Sequence, residues 1–281
     1  MEFSSRIQKI TESATLKLNA KASELVDGGE KIYNLTAGQF PFKPMPEFVD
    51  QIRGELNFLK SYQYSPVLGI PELRKKLLSY FRESRNLDLS NLSDPYDCIV
   101  SNGGKHSLYN IFGALLDPGD EVILFAPYWL SYPEIIKLHG GKVVLVRSNI
   151  YDHFEPSLDD IAGLINENTK AIVVNSPNNP TGISYSDEWM KGFAELMANY
   201  KDVFLISDEI YFSLYYYDPK PSYFYQYDSE LLERTFIVDG ISKALACTGL
   251  RLGYCFGPKP YIEVLSKFQG QTTSRASSLI Q

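Results

Sequence analysis

The sequence predicts an α/β fold in which a mostly parallel sheet lies between layers of helices. From Cys98 onward, apolar runs with strand character alternate with segments of helical periodicity. The apolar runs contain few polar positions, as expected for strands that are covered on both faces. The segments "LDPGDE", "HGGK" and "NNPTG" contain the glycines and prolines that interrupt regular structure, and they lie where this order requires loops.

The strand and helix segments can be followed along the chain. The first pairs are "CIVSN" with "KHSLYNIFGALL", "EVILFAP" with "YPEIIKLHG", "KVVLV" with "SLDDIAGLIN", and "KAIVVNS" with "DEWMKGFAELMANY". The strands "VFLISDE", "TFIVDG" and "RLGYCFG" follow. Before Cys98, the pattern predicts a helical segment from Met1 to Gly29, an extended stretch "KIYNLTAGQFPFKP", and an amphipathic helix "IPELRKKLLSYFRES" that is opened by Pro71.

The composition is that of an ordinary globular protein. The chain has 281 residues, a net charge of −7 and no long basic run, which argues against a nucleic-acid partner. No apolar stretch is long enough to span a membrane, and Met1 to Ala20 is too polar for a signal sequence, so we expect a cytoplasmic location and no membrane partner. Cys98, Cys247 and Cys255 lack metal-site spacing and are expected to be buried thiols, and no metal is expected.

Polar clusters follow three of the predicted strands at their carboxyl ends. The segment "NSPNNPTG", residues 175–182, follows "AIVV"; "SDEIY" follows "VFLI"; and "SKALACTGLRLGY" follows "TFIVDGI". Ligands of open α/β sheets bind beyond the carboxyl ends of the strands, so these clusters are expected to face one crevice. Because no glycine-rich G-x-G-x-x-G turn follows any strand, a nicotinamide-dependent dehydrogenase is disfavoured.

The side chains in these clusters suit a pyridine cofactor that carries an aldehyde and a phosphate. Lys243 can form a Schiff base with the aldehyde, and its freed amine can then carry a proton between the substrate Cα and the cofactor. Asp208, at a buried strand end, can keep the ring nitrogen protonated. Tyr211 and Asn179 can share the phenolic oxygen of the ring, and Arg251 offers a bidentate fork to the phosphate.

A second phosphate-binding feature lies upstream. Gly103 and Gly104, in "SNGGKHSLYNIF", fall between a strand and a helix, where free amides at the helix N-terminus can bind a dianion. Trp129, in "APYWLSYPE" after the next strand, is placed to lie flat on the pyridine ring.

These motifs resemble those of a known family. In this order, "NNPTG", "SDEIY" and "SKALACTGLRLGY" resemble the fold-type I pyridoxal 5'-phosphate (PLP)-dependent aminotransferases. The segments "ESATLKLNAKA", "LTAG", "YSPVLGIPELR" and "GGKHSLYN" narrow the resemblance to the aspartate aminotransferase-like group of class I/II, from about Ile7 to the C-terminus. The resemblance implies a three-layer α/β/α large domain, PLP as cofactor, and cis peptide bonds at Ala126-Pro127 and Asn179-Pro180.

The resemblance also implies roles for individual residues. Lys243, Asp208 and Tyr211 form the implied catalytic set, with Lys243 as the Schiff-base lysine. Together with Trp129, the implied cofactor-binding residues are Gly103, Gly104, Lys105, Asn179, Asp208, Tyr211, Lys243, Arg251 and Tyr64. Because Tyr64 matches a tyrosine that reaches the phosphate of the neighbouring subunit, a homodimer with shared active sites is implied.

For the substrate, the resemblance implies a smaller set of contacts. Gly38 and Asn179 match positions that hold the α-carboxylate. Lys105, alongside Ser13 or Thr15, either contacts the distal carboxylate of an acidic substrate or only caps a helix with its backbone, and the sequence leaves both alternatives open.

The resemblance divides the chain into an N-terminal arm and extended segment, residues 1–45, and a PLP-binding large domain, residues 46–281. Relatives continue into a C-terminal small domain with an arginine that clamps the substrate α-carboxylate, and no residue of this chain matches that arginine. The C-terminal small domain is therefore expected to be missing. PLP binding by Lys243 with impaired or absent transamination is the resulting expectation for the 281-residue form.

The expected function is a ping-pong, PLP-dependent transamination between an amino acid, aspartate- or glutamate-like, and a 2-oxo acid. Two alternatives stay open: a PLP-dependent lyase or decarboxylase of the same fold, and a noncatalytic PLP-binding fragment. The tyrosine-rich stretch 211–227 departs from relatives and is expected to pack on the domain or at the dimer interface, without an activity of its own.

Overall fold

The computed structural model describes residues 3–36 and 38–281 of the chain. Among these residues, one sheet contains β1 (Tyr96–Ser101), β2 (Glu121–Ala126), β3 (Lys142–Arg147), β4 (Thr169–Asn175), β5 (Phe204–Asp208), β6 (Thr235–Gly240) and β7 (Gly253–Pro258), in the spatial order β1-β7-β6-β5-β4-β2-β3. The strands from β2 to β6 pair in parallel, whereas β7 is antiparallel to both β6 and β1. The predicted mostly parallel sheet is thereby confirmed.

Helices cover both faces of this sheet, as predicted. In chain order they are α1 (Ser5–Gln8), α2 (Ala14–Asp27), α3 (Pro46–Glu55), α4 (Pro71–Ser84), α5 (Gly104–Leu115), α6 (Ser131–Leu138), α7 (Leu158–Leu164), α8 (Asp187–Met197), α9 (Phe224–Tyr227), α10 (Ile241–Ala244) and α11 (Lys259–Gln271). One hydrophobic core holds residues of α5, α6 and α11, and a second holds residues of α7, α8 and α9. Successive side chains of β2 enter opposite cores, since Val122 belongs to the first and Ile123 to the second.

The antiparallel direction of β7 follows from the short connection that precedes it. Between β6 and β7 the chain forms only α10 and a 3₁₀ turn, Thr248–Leu250. A helix as short as α10 cannot carry the chain back across the face of the sheet, which a parallel neighbour would require. The strand β7 therefore starts at the edge where β6 ends, with Gly253 opposite Gly240.

The N-terminal segment, predicted to be helical, forms two helices rather than one continuous helix. It is interrupted between α1 and α2, where Ser13 caps α2 by accepting the N–H of Leu16 at 3.4 Å. The backbone N–H of Thr11 donates to Glu134 of α6 at 2.8 Å. The cap and this tertiary contact outweigh the helical propensity of the segment. Residues 1 and 2 of the predicted helix lie outside the described residues.

The other N-terminal predictions agree with the structure. Residues 31–36 and 38–45 form no helix or strand, as the predicted extended stretch requires, and Ala37 lies outside the described residues. Helix α4 begins at Pro71, as predicted.

Several further features concern partners and reactive groups. Within residues 3–36 and 38–281, no helix combines the length and apolar character needed to cross a membrane. In the same part of the chain, no cluster of three or more His, Cys, Asp or Glu side chains is arranged to hold a metal ion. The three cysteines are free and buried, as predicted.

The carboxyl ends of β4, β5 and β6 lie side by side. Asn175 of β4 pairs with Asp208 of β5, and Asp208 pairs with Val238 of β6. Parallel pairing therefore brings the three polar clusters that follow these strands to one edge of the sheet.

A close backbone approach joins β7 to the turn before α5, and it yields a stability prediction. A Cβ atom at Gly253 would lie 2.4 Å from the carbonyl carbon of Gly103 and 2.4 Å from the nitrogen of Gly104. We expect Gly253→Ala to lower the free energy of unfolding by about 1–3 kcal/mol, the range for overpacking, because backbone rather than a flexible side chain must move. Urea unfolding followed by far-ultraviolet circular dichroism measures this change.

Gly257→Ala is the matched control, because it lies on the same strand and its Cβ would be 3.5 Å from the nearest atom, an ordinary contact. Equal losses of stability for the two variants would contradict the close approach at Gly253.

Candidate active site

A cavity of about 750 Å³ opens beyond the carboxyl ends of β4, β5 and β6. Its wall contains all of the sequence-predicted site residues except Gly103 and Tyr64. Tyr132 and Asn175 also line it, and neither had been predicted. The size is that of a pocket for a small molecule.

Asp208, at the end of β5, is a buried acid on the wall of this cavity. The residue is 4% exposed; its Oδ2 accepts the hydroxyl of Tyr132 at 2.5 Å, and its Oδ1 accepts the N–H of Ile210 at 3.3 Å. Burial raises the pKa of Asp208 to about 6, the two hydrogen bonds lower it, and the nearby carboxylate of Glu209 raises it. Both hydrogen-bond donors are neutral, so the carboxylate can still take a cationic partner, such as a protonated ring nitrogen.

Tyr211 and Asn179 form a pair on the same wall. Asn179 Nδ2 donates to the phenolic oxygen of Tyr211 at 3.4 Å. Burial raises the pKa of Tyr211 to about 12, the charge of Asp208 raises it as well, and the bond from Asn179 lowers it. The phenol is therefore protonated at neutral pH and can donate a hydrogen bond to an anionic oxygen in the cavity.

The turn that carries Asn179 is tied to β5 by Asn175. Asn175 Oδ1 accepts the N–H of Asn179 at 2.9 Å, and Asn175 Nδ2 donates to the backbone carbonyl of Asp208 at 2.9 Å. One buried side chain thus sets the spacing between Asn179 and Asp208. The Ala126-Pro127 and Asn179-Pro180 bonds are cis, as expected, and the Ser176-Pro177 bond within the turn is also cis.

Lys243 enters the cavity from α10, the short helix after β6. Its Nζ donates to the carbonyl oxygen of Gly38 and lies 6.0 Å from the ring centroid of Tyr211. Partial burial lowers the pKa of Lys243, and the charge of Arg251 lowers it further. A lowered pKa increases the fraction of neutral amine, which is the nucleophilic form.

Gly103, Gly104 and Arg251 lie together where phosphate binding is predicted. Gly104 begins α5, so the first amides of this helix lack helical acceptors. Arg251 Nη2 donates to the carbonyl of Asn102 at 3.2 Å, and Nη1 donates to the carbonyl of Thr248 at 2.9 Å. A Cβ atom on Gly103 would lie 2.2 Å from Arg251 Nη2, so the absence of a side chain there admits the guanidinium. A helix N-terminus beside a guanidinium suits a dianion.

Lys105 and Thr15 lie where the resemblance implies a distal carboxylate. Lys105 Nζ is 5.0 Å from the ring centroid of Trp129, and burial together with the charge of Arg251 lowers its pKa. Thr15 lines the same cavity, whereas Ser13 lines a neighbouring cavity of about 660 Å³. Lys105 lines both cavities and so shares one with each of the two partners considered; only the cavity that contains Thr15 also contains Asp208 and Lys243.

Tyr64 lies outside the cavity of its own chain. It is 88% exposed, and its ring contacts the guanidinium of Arg275, whose Cζ is 4.4 Å from the ring centroid. The described chain does not bring Tyr64 to this cavity, and its contact with the site of a neighbouring subunit stays a prediction.

Tyr132 is, with Asn175, a residue of the cavity wall that the sequence analysis did not predict. It is 2% exposed in α6, donates to Asp208, and meets the ring of Trp129 edge-on, with centroids 5.3 Å apart and an interplanar angle of 87°. Its position three residues after Trp129 is a weak signal that both face the same side. A tyrosine among apolar helix residues is otherwise typical of a core position.

Comparison with known proteins identifies the family of the chain. Residues 30–281 match the family model described as aminotransferase class I and II. The chain belongs to this family. The predicted assignment to the fold-type I, PLP-dependent aminotransferases is thereby confirmed, and so is the α/β fold class.

Individual relatives of this aminotransferase chain are aspartate aminotransferases. It is 40% identical over 279 residues to the aspartate/prephenate aminotransferase of Thermus thermophilus, covering 99% of this chain and 70% of the relative. It is 36% identical over 281 residues to the aspartate aminotransferase of Bacillus subtilis, covering 100% of this chain and 70% of the relative. A solved structure of aspartate aminotransferase from Thermus thermophilus with maleate matches with a TM-score of 0.92 and 39% identity, over 100% of this chain and 71% of that one.

The bond from Tyr132 yields a pH-dependent prediction. Tyr132→Phe removes a donor to the charged form of Asp208 and should raise the pKa of this carboxyl above about 6. At about pH 5 Asp208 is protonated in both folded proteins, whereas at about pH 8 the variant holds a less stabilised carboxylate. The loss in unfolding free energy should therefore be larger at the higher pH, by about 1.4 kcal/mol for each unit by which the pKa rises.

Urea unfolding at both pH values measures this difference. Tyr185→Phe is the control, because Tyr185 is equally buried and its hydroxyl is not bonded to Asp208, so its loss should not vary between the two conditions. A pH-independent loss for Tyr132→Phe would show that the bond does not tune Asp208.

Proposed function

We propose that this chain binds PLP through Lys243 and transfers an amino group between an aspartate- or glutamate-like amino acid and a 2-oxo acid. The observation that carries the proposal is one cavity that holds a buried acid, Asp208, an amine of lowered pKa, Lys243, and an anion-binding helix terminus. When bound, PLP supplies an electron sink for the carbanion that forms at the substrate Cα.

Three groups of this chain are placed to hold the cofactor. Asp208 keeps a proton on the ring nitrogen, because a buried carboxylate with neutral donors gains most from a cationic partner. Tyr211 and Asn179 hold the ring oxygen with their hydrogen-bonded pair. Arg251 and the free amides at Gly104 hold the phosphate.

Lys243 has two successive roles in the proposal. Its neutral amine would hold the cofactor through the aldehyde group, with loss of water, and Nζ, once displaced by the substrate amine, would be the base that takes the proton from the substrate Cα. The lowered pKa of Lys243 suits both steps, because each requires the unprotonated amine. The carbonyl of Gly38 orients Nζ in the free protein.

We propose an acidic substrate because the cavity wall carries a cationic side chain, Lys105, that can pair with a carboxylate. In the proposal, Asn179 and the backbone of Gly38 would contact the α-carboxylate, and Lys105 with Thr15 would contact the distal carboxylate; all four residues line the cavity. The names of the relatives point to aspartate, and the Thermus thermophilus structure was solved with maleate, a dicarboxylate. Both support a substrate with two carboxylates.

We further propose a homodimer in which Tyr64 completes the site of the partner. Residues 16–64 expose several large apolar side chains, among them Leu16 at 67%, Leu35 at 93% and Leu59 at 71%. Exposed apolar residues concentrated in one part of the chain are typical of a protein interface. In this proposal residues 1–45 form an arm that packs on the partner.

Cofactor attachment tests the function directly. Wild-type protein saturated with PLP should show a visible absorbance band that bleaches when aspartate or glutamate is added, and borohydride should fix a pyridoxyl group on Lys243, detected by peptide mass spectrometry. Lys243→Ala should lose both signals. Lys191→Ala, which changes an exposed lysine of α8, should keep them.

The products separate the reaction types. Formation of the 2-oxo acid of the added amino acid identifies transamination, whereas release of carbon dioxide would identify decarboxylation. Wild-type protein in which Lys243 stays unmodified after saturation and reduction would contradict the proposal.

Mixed dimers test the shared site. Tyr64→Ala should weaken PLP binding by about tenfold or more, the effect of losing a hydrogen bond to a charged group. When Tyr64→Ala and Lys243→Ala chains are combined at limiting PLP, one site of each mixed dimer has an intact Lys243 and an intact Tyr64. Pyridoxyl label should therefore reappear on the Tyr64→Ala chain, and sedimentation should show a dimer. No recovery on mixing, or a monomer that binds PLP fully, would refute the shared site.

A further inference from the structure

A buried ion cluster lies behind the cavity wall, around Arg85 at the C-terminal end of α4. Arg85 is 2% exposed, and its Nε and Nη2 donate to Glu209 Oε2 at 3.0 and 2.8 Å, while Nη2 also donates to Asp239 Oδ2 at 3.4 Å. We propose that Arg85 is a positioning residue of the cofactor site, which holds, through Glu209 and Asp239, the two strand ends that carry Asp208 and Lys243.

Both carboxylates of the cluster are close in the chain to a proposed catalytic residue. Glu209 directly follows Asp208, and successive side chains point to opposite sides of the sheet, so Asp208 meets Tyr132 while Glu209 meets Arg85. Asp239 is the second-last residue of β6, and α10, which contains Lys243, begins two residues later. A single guanidinium therefore contacts the chain beside both residues of the proposed reaction.

The remaining bonds of the cluster restrict how it can move. Glu209 Oε1 accepts the hydroxyls of Ser207 at 2.8 Å and Tyr225 at 2.7 Å. Asp239 Oδ1 accepts the N–H of Gly240 at 2.7 Å. The guanidinium also lies on the ring of Phe212, with its Cζ 3.7 Å from the centroid. The ends of β5 and β6 cannot separate without breaking contacts of this buried network.

The charge of Arg85 also affects the buried acids behind the cavity wall. Burial raises the pKa of Asp239 to about 7, and Arg85 opposes that rise. Glu209 raises the pKa of Asp208, as described above. Without the guanidinium, Glu209 would be a buried charge without a cationic partner, which is a strongly destabilising arrangement. The ends of β5 and β6 would then shift, and the positions of Asp208 and Lys243 would shift with them.

The inference rests on the proposed binding of PLP, so wild-type affinity for PLP is measured first, by equilibrium dialysis. Arg85→Lys keeps a cation but loses the planar fork that reaches two carboxylates. We expect it to bind PLP about tenfold more weakly than wild type, a coupling typical of contacting residues. We also expect it to lose part of the visible circular dichroism per bound cofactor, because this signal reports how firmly the ring is oriented.

Arg74→Lys is the matched control. Arg74 lies on the same helix α4 and pairs with Asp97 of β1, and neither residue lines the cavity. Its variant should keep wild-type affinity and visible dichroism. Glu209→Gln removes the charge of one of the two carboxylates that Arg85 contacts and should reproduce the losses of Arg85→Lys, so that the inference can still be tested if one variant fails to fold.

The outcomes are distinguishable. If wild type binds PLP and the folded Arg85→Lys and Glu209→Gln proteins bind it with unchanged affinity and dichroism, whatever their melting temperatures, Arg85 is only structural and this inference fails. Unfolding of both variants would also overturn it, because the role of Arg85 would then be structural. If wild type does not bind PLP, the proposed function fails together with this inference.

Discussion

Asp208 and Glu209 are adjacent acids at the end of β5. Because burying a carboxylate is unfavourable, the residues packed around this strand end supply partners to both. Asp208 is 4% exposed and Glu209 is 0% exposed. A carboxylate without partners in such surroundings is strongly unfavourable. The chain therefore brings a hydroxyl from α6 and an amide to Asp208, and a guanidinium from α4 and a hydroxyl from α9 to Glu209. Helices from both faces of the sheet thus converge on one strand end.

The parts of the fold that depend on local pattern could be predicted from the sequence. Continuous apolar runs such as "AIVV" identify strands covered on both faces, and Pro71 marks the start of α4. The direction of β7 could not be predicted, because it depends on how far α10 carries the chain. The break between α1 and α2 was also missed, because a contact from Thr11 to the distant Glu134 helps to create it.

The same distinction applies to the candidate site. Residues in local motifs, such as Lys243 and Asn179, were predicted and lie on one cavity wall. Tyr132 and Arg85 were not, because each acts on a partner far along the chain: Tyr132 is 76 positions from Asp208, and Arg85 is 124 positions from Glu209. Such contacts arise only from the packing of helices on the sheet, and neither residue belongs to a motif.

The alternation of side chains along β5 has a consequence for how the chain can vary in length. Because the side-chain period of a strand is two, inserting or deleting one residue within Phe204–Asp208 would exchange the environments of the two acids. The side chain of Glu209, which is longer than that of Asp208, would then face the cavity. The shorter side chain of Asp208 would not reach the guanidinium of Arg85. We therefore expect a one-residue insertion or deletion to be unfavourable in this strand, whereas the exposed loop before it, at Lys201 and Asp202, can change length without altering the register of either acid.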